Sequence, residues 1–220
     1  MKRKIKAIIF DLDGTLIHIP DGEFFDRLLV ESLKEIGCKV PSRKQRDQLW
    51  ESGRDYEKIL TSWGLQNTEY FWKVFDRRDF EARKRLIDIR QIKPYEDITV
   101  LPELAKKFSL GIVTNTPLEL ALLELDTFHL TKYFDSIIAL GTVEQKNAKP
   151  EAHGILRCTK ELNSSPDETL VVGDRDIDII AGFRAGTHTA IIIRSGIKIK
   201  VKADFAVSSL YELIEILRKY

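Results

Sequence analysis

Apolar and polar positions follow two different rhythms along this chain. Residues 5–10 (Ile-Lys-Ala-Ile-Ile-Phe) form a short apolar run of strand length. Over residues 21–91 such runs are absent, and apolar residues recur at helical spacing. Phe24, Leu28, Leu29, Leu33 and Ile36 make one stripe that Gly37 ends. The same spacing predicts helices near 42–51, 54–63 and 68–90. The last carries Phe71, Val74, Phe75 and Phe80, expected as a small helical core, then Arg83, Lys84 and Arg85, expected as a solvated basic face. From Pro94 onward helices alternate with β-rich runs. Strands are predicted at 110–114, 136–140, 169–173 and 189–193, with a shorter one near 204–207. Helices are predicted near 99–107, 117–126, 150–162, 176–185 and 209–219.

Continuous apolar strands separated by helices predict an α/β fold, a Rossmann-like parallel sheet with helices on both faces. The helical stretch interrupts this pattern just after the first strand. The expected organisation is therefore a core of residues 1–19 and 92–220 and an inserted all-helical unit of residues 20–91. Ligands in such sheets bind beyond the carboxyl ends of the strands. The two crossings between the units, near Ile19–Asp21 and Ile92–Tyr95, are the expected hinges of a lid.

Composition narrows the class. The chain has 220 residues, 43% of them hydrophobic and 31% charged, with a formal net charge of +1. That balance predicts a globular protein that engages neither nucleic acid nor a membrane surface. Cys38 and Cys158 have no CxxC partner, so buried thiols in a reducing compartment are expected. The basic start, Met1-Lys2-Arg3-Lys4, precedes an apolar run too short for a signal peptide or a membrane span, and a cytoplasmic location follows as the expectation.

The chemistry sits at the predicted strand ends. Asp11-Leu12-Asp13-Gly14-Thr15 closes the first strand with two carboxylates on one side of it, since residues two apart face the same way. Buried unpaired carboxylates are costly, so such a pair implies a cation, a proton or a reaction. Thr114-Asn115-Thr116-Pro117 offers a hydroxyl and free N–H groups at a helix start, which suits an anion. Lys149 precedes Pro150 and is held in extended backbone, outside the following helix, with Lys146 as a competitor for the same role. Gly173-Asp174 ends the fourth strand, with Asp178 one helical turn beyond Asp174; Asp176 is expected as an exposed first-turn acid. Oxygen-only donors, with no His/Cys set at zinc spacing, suit Mg²⁺. Arg54 is the candidate for binding the far end of a substrate.

Together these residues resemble the four motifs of the haloacid dehalogenase-like phosphatase superfamily: Asp11-Leu12-Asp13-Gly14-Thr15, Thr114, Lys149 with Pro150, and Gly173-Asp174 with Asp178. The insert position resembles the helical cap of its phosphoglycolate phosphatase-like and β-phosphoglucomutase-like branch. The resemblance implies Mg²⁺-dependent hydrolysis of a small phosphorylated metabolite, with Asp11 forming an aspartyl-phosphate and Asp13 serving as acid, then base. That dual role implies a proton on Asp13 near neutrality and therefore a raised pKa. It further implies Asp11, the Asp13 carbonyl and Asp174 as metal ligands, with Asp178 behind them, and Thr114, Asn115 and Lys149 on the phosphoryl oxygens. An acid at position 13 sets the chain apart from dehalogenase and phosphonatase relatives. Thr15 resembles the phosphatases more than the mutases, while His18 departs from an Asp that near relatives carry. A sugar phosphomutase and a non-catalytic binding module on the same scaffold remain as alternatives, and the oligomeric expectation is a monomer or homodimer.

Overall fold

A computed structural model describes residues 4–19, 22–194 and 199–218. Its eight strands among these residues are β1 (Ala7–Phe10), β2 (Ile17–His18), β3 (Lys93–Pro94), β4 (Ser109–Thr114), β5 (Ser136–Ala139), β6 (Thr169–Gly173), β7 (His188–Ile192) and β8 (Phe205–Val207). The helices are α1 (Gly22–Glu35), α2 (Arg43–Asp47), α3 (Tyr56–Ser62), α4 (Thr68–Asp88), α5 (Leu101–Ala105), α6 (Leu118–Thr127), α7 (His153–Glu161), α8 (Asp176–Ala185) and α9 (Leu210–Leu217).

Six strands form one parallel sheet in the order β5-β4-β1-β6-β7-β8. β1 lies inside it because all four of its residues are apolar and buried, which only a strand covered on both faces tolerates. Its side chains divide by alternation. Ile8 and Phe10 join a cluster with Leu104 of α5, Leu125 of α6 and Leu213 of α9. Ala7 and Ile9 join Ile155 and Cys158 of α7 and Ala181 of α8 on the opposite face. The order places the ends of β1, β4 and β6 side by side, so the polar segments after them converge.

The inserted helices have a core of their own. Leu29 and Leu33 of α1, Leu60 of α3 and Phe71, Trp72 and Phe75 of α4 are buried together. Two short 3₁₀ turns, Gln48–Glu51 and Gly53–Asp55, replace the second half of the helix expected at 42–51 and the start of the next. β2 and β3 pair antiparallel, Ile17 with Pro94 and His18 with Lys93, and so join the two crossings into one ribbon. Two-residue strands carry no readable periodicity, which is why the pattern did not predict them. Pro20 and Asp21, part of the expected first hinge, lie outside the described residues. The helix expected from 150 starts at His153, after a cis Lys149–Pro150 peptide.

Candidate active site

Asp11 leaves β1 with its N–H still bonded to the Val172 carbonyl at 2.9 Å, so the carboxylate is held between β1 and β6. It is 4% exposed. Lys149, 3% exposed, donates from Nζ to Asp11 Oδ1 at 2.6 Å and lies 2.6 Å from Asp178 Oδ1. Asp178 is fixed from its other side, where Oδ2 accepts the Arg175 N–H at 3.0 Å. Carboxylate oxygens of Asp11, Asp174 and Asp178 all fall within 4.8 Å of one another. Of the two candidate lysines the structure brings Lys149 to the acids and leaves Lys146 exposed.

Two glycines make this close approach possible. A Cβ on Gly173 would stand 2.3 Å from Asp178 Cβ. Gly14 has φ +79°, and a Cβ there would stand 2.4 Å from Asp174 Oδ2. Thr15 Oγ1 donates to Asp174 Oδ1 at 3.4 Å.

Crowding acids in a dry site shifts their titration. Burial pushes Asp11 up to about 6, and the Lys149 charge holds it from going higher. Burial, followed by the charges of Asp11 and Asp178, pushes Asp174 up to about 8. Lys149 is buried, which disfavours its charge, but Asp11 and Asp178 outweigh this and hold it protonated.

Asp13 departs from expectation. Its Oδ2 accepts Arg83 Nη1 at 2.6 Å and Thr116 Oγ1 at 2.7 Å. Burial would raise its pKa, but the Arg83 charge and these two hydrogen bonds outweigh burial and lower it. A carboxylate, not a carboxylic acid, is the form this arrangement favours. Arg83 comes from α4 and is only 2% exposed, so it is no solvated basic face; Lys84 and Arg85 beside it are exposed. It also bonds Asp79 at 2.9 and 3.1 Å and Glu124 of α6 at 3.2 Å, and its guanidinium sits 5.2 Å from the Phe25 ring centroid. Burial, then the Asp13 charge, pushes Glu124 up to about 8, so Glu124 takes a proton more readily than Asp13 does. One sequence signal could have found Arg83. Phe71, Phe75, Asp79 and Arg83 repeat at four-residue spacing, which puts the ion pair on the same buried stripe as the aromatics.

The other expected residues are placed as follows. Thr114 is 1% exposed, and its Oγ1 accepts the Thr116 N–H at 3.1 Å, shaping the turn. Asn115 clamps the Lys149 backbone, donating to its carbonyl at 3.0 Å and accepting its N–H at 2.8 Å. Arg54 is a correction: it is exposed and reaches across to Glu151 of the core at 3.2 Å, away from the cavity at the strand ends. Surface ion pairing with the nearest acid claimed it. Asp176 stands in the first turn of α8, as expected, but is half-buried: its carboxylate accepts the N–H groups of Lys200 and Val201 at 3.0 Å and ties down that segment. Arg175, given no role from sequence, lines the cavity; burial disfavours its charge, but Asp178, Asp174 and Asp11 outweigh this and keep it protonated.

A cavity of about 720 Å³ opens from these acids toward the inserted helices. The cluster of Asp11, Asp174 and Asp178 offers oxygen donors alone, which fits a hard divalent cation. No helix among the described residues is long and apolar enough to cross a membrane.

Known proteins resemble this chain over most of its length. The sequence profile described as haloacid dehalogenase-like hydrolase matches residues 8–192. A phosphoglycolate phosphatase of Aquifex aeolicus is 31% identical over 218 residues, covering 97% of each chain. The pyrophosphatase PpaX of Anoxybacillus flavithermus is 32% identical over 193 residues, covering 84% of this chain and 82% of its own. The crystal structure of CbbY from Rhodobacter sphaeroides, in complex with phosphate, superposes with a TM-score of 0.73 at 19% identity, covering 95% of this chain and 96% of that one. With the match spanning both the acidic strand ends and the helical insert, the chain belongs to the haloacid dehalogenase-like hydrolase family.

Proposed function

We propose that this protein is a divalent-cation-dependent phosphatase that hydrolyses a small phosphate monoester through an aspartyl-phosphate on Asp11. One observation carries the reading: Asp11 has one oxygen fixed by Lys149 while the other is buried and unpartnered. A carboxylate so divided is held in place and keeps a free nucleophilic atom. Relatives that carry phosphatase and pyrophosphatase names support phosphoryl hydrolysis.

In this reading Asp11 Oδ2 attacks phosphorus and the alcohol leaves with a proton from Asp13. Water then attacks the phosphoaspartate, and Asp13 takes the proton of that water, which it gives to the next leaving alcohol. Arg83 and Thr116 occupy Oδ2 of Asp13 and favour its carboxylate, the form that takes the proton of the water; Oδ1, buried and unpartnered, receives that proton and passes it to the next alcohol. Asp11, Asp174 and the Asp13 carbonyl would hold Mg²⁺, with Asp178 orienting Lys149; when bound, the ion supplies positive charge to the phosphoryl oxygens. Lys149, Thr114 and the main-chain N–H of Asn115 hold those oxygens from the other side. The helical unit, residues 20–91, acts as a cap that excludes water and selects the alcohol.

Asp11→Asn tests this. Turnover of p-nitrophenyl phosphate with Mg²⁺ is expected to fall on the order of 10³-fold or more, with the circular dichroism spectrum unchanged. Undiminished phosphate release would remove Asp11 as the nucleophile.

A further inference from the structure

The cavity does not end at the acids. Its far wall is aromatic, formed by Phe25, Trp50, Tyr56, Trp72 and Phe75 of the helical unit. Trp50 is half-buried at the centre of this wall, with ring centroids of Phe75, Phe25 and Trp72 at 5.5, 6.3 and 6.5 Å. Trp72 keeps a buried indole N–H with no acceptor. A buried donor without a partner is unfavourable, so an acceptor nearby would be favourable.

The charges on this side are already spent on each other. Among the described residues, Arg43 and Arg83 are the cations of the helical unit that line the cavity. Arg43 binds Asp47 at 2.8 Å and lies 3.2 Å from Asp26, and Arg83 is enclosed by acids. Among the described residues, no cation of that wall is left to meet a carboxylate or a second phosphate; Lys149, Arg175 and Arg194 line the cavity on the sheet side. A substrate such as phosphoglycolate or pyrophosphate presents an anion at the end away from the reacting phosphorus, where this wall offers ring faces. The volume, about 720 Å³, also far exceeds what a two-carbon acid fills and lies within the range that encloses a ring-bearing ligand.

We propose that the aromatic wall is a binding subsite for the leaving group, and that the substrate is a phosphate monoester of an alcohol bearing an uncharged aromatic or heteroaromatic ring. The proposal rests on the phosphatase reading above for the chemistry, and on the wall alone for the selectivity. Ring faces stacked on Trp50 gain from dispersion and quadrupole attraction, which small anionic leaving groups cannot.

The test compares kcat/KM for adenosine 5′-monophosphate and phenyl phosphate with that for ethyl phosphate, phosphoglycolate and pyrophosphate, with Mg²⁺ present. In parallel, calorimetric titration of the Asp11→Asn protein measures binding of the same five compounds. The ring-bearing esters are expected to exceed the two anionic compounds at least tenfold in both measurements. In Trp50→Leu, the ratio of adenosine 5′-monophosphate to ethyl phosphate is expected to fall at least tenfold. Equal or better turnover or binding of phosphoglycolate or pyrophosphate overturns the subsite, as does an unchanged ratio in Trp50→Leu. Ring-selective binding without turnover of any compound overturns the phosphatase reading and leaves the subsite standing.

Discussion

Arg83 is the residue whose environment changes the picture most. It carries one charge into a site with three acids, Asp13, Asp79 and Glu124, and is itself 2% exposed. Removing one partner of a buried ion cluster costs more than the cluster's net contribution, because the remaining charges stay buried and unpaired. Arg83→Met is therefore expected to lower stability by about 3–5 kcal/mol in chemical denaturation. Adding Asp79→Asn to that variant should recover part of the loss, since one of the orphaned acids is then neutral. An additive double variant would show that the two residues do not act as a pair. Asp174 behaves in the opposite sense. Its pKa is raised to about 8, so the folded state without metal holds a proton that the unfolded chain releases near 4. Stability without metal thus declines as pH rises between those values. Asp174→Asn is expected to raise the melting temperature of the metal-free protein at pH 8 and to abolish the further rise expected with Mg²⁺ in the native protein. Calorimetric melts with Mg²⁺ and with chelator read both effects.

Among the elements, the turn between β6 and α8 and the pairing of α1 with α2 each yield a prediction. Gly173 ends β6 against the Asp178 side chain, and no side chain fits between them. Gly173→Ala must push Asp178 off Lys149, at a cost of about 1–3 kcal/mol from overpacking, together with loss of turnover. A crystal structure of that variant with Asp178 unmoved would contradict the argument. The second case is Asp26 of α1, which accepts Arg46 of α2 through both oxygens at 2.7 Å. The Arg46 hydrogen bonds hold its pKa below the usual carboxylate range, although burial opposes them. The pair stabilises the fold at neutral pH, and that contribution is lost as pH falls below about 4 and through the lowered native pKa. Asp26→Asn is expected to cost about 1.5–3 kcal/mol at pH 7 and to approach the native protein as pH falls through the lowered native pKa, measured by urea titration at each pH.

For the whole molecule, the main consequence is that the helical unit and the sheet share one polar centre. α4 delivers Arg83 to Asp13, and the β2–β3 ribbon holds the two crossings in register. The Arg83 bonds to Asp13 and Glu124 cross from α4 to the sheet side, so the lowered pKa of Asp13 depends on the helical unit being packed against the sheet. The Arg54–Glu151 pair spans the same gap at the surface, where solvent screens it.

The fold was legible because strands covered on both faces are apolar throughout. The runs at 5–10 and 169–173 could be read as central strands with no knowledge of their neighbours, and the change of rhythm at Pro94 marked where the sheet resumes. Asp11, Lys149 and Asp174 drew attention for a similar reason: each stands at a strand end or beside a proline, positions that local chemistry marks, and Asp178 follows one helical turn beyond Asp174. Partners chosen across the gap between helical unit and sheet leave no such mark. The charge of Asp13 depends on Arg83, seventy positions away, and a basic residue in a basic run looks the same buried or solvated. Arg54 met Glu151 for the same reason, and the aromatic wall came together only when α1, α3 and α4 packed. Local pattern decides which faces are buried; which charges meet inside is decided by folding, because electrostatic pairing is a property of positions in space.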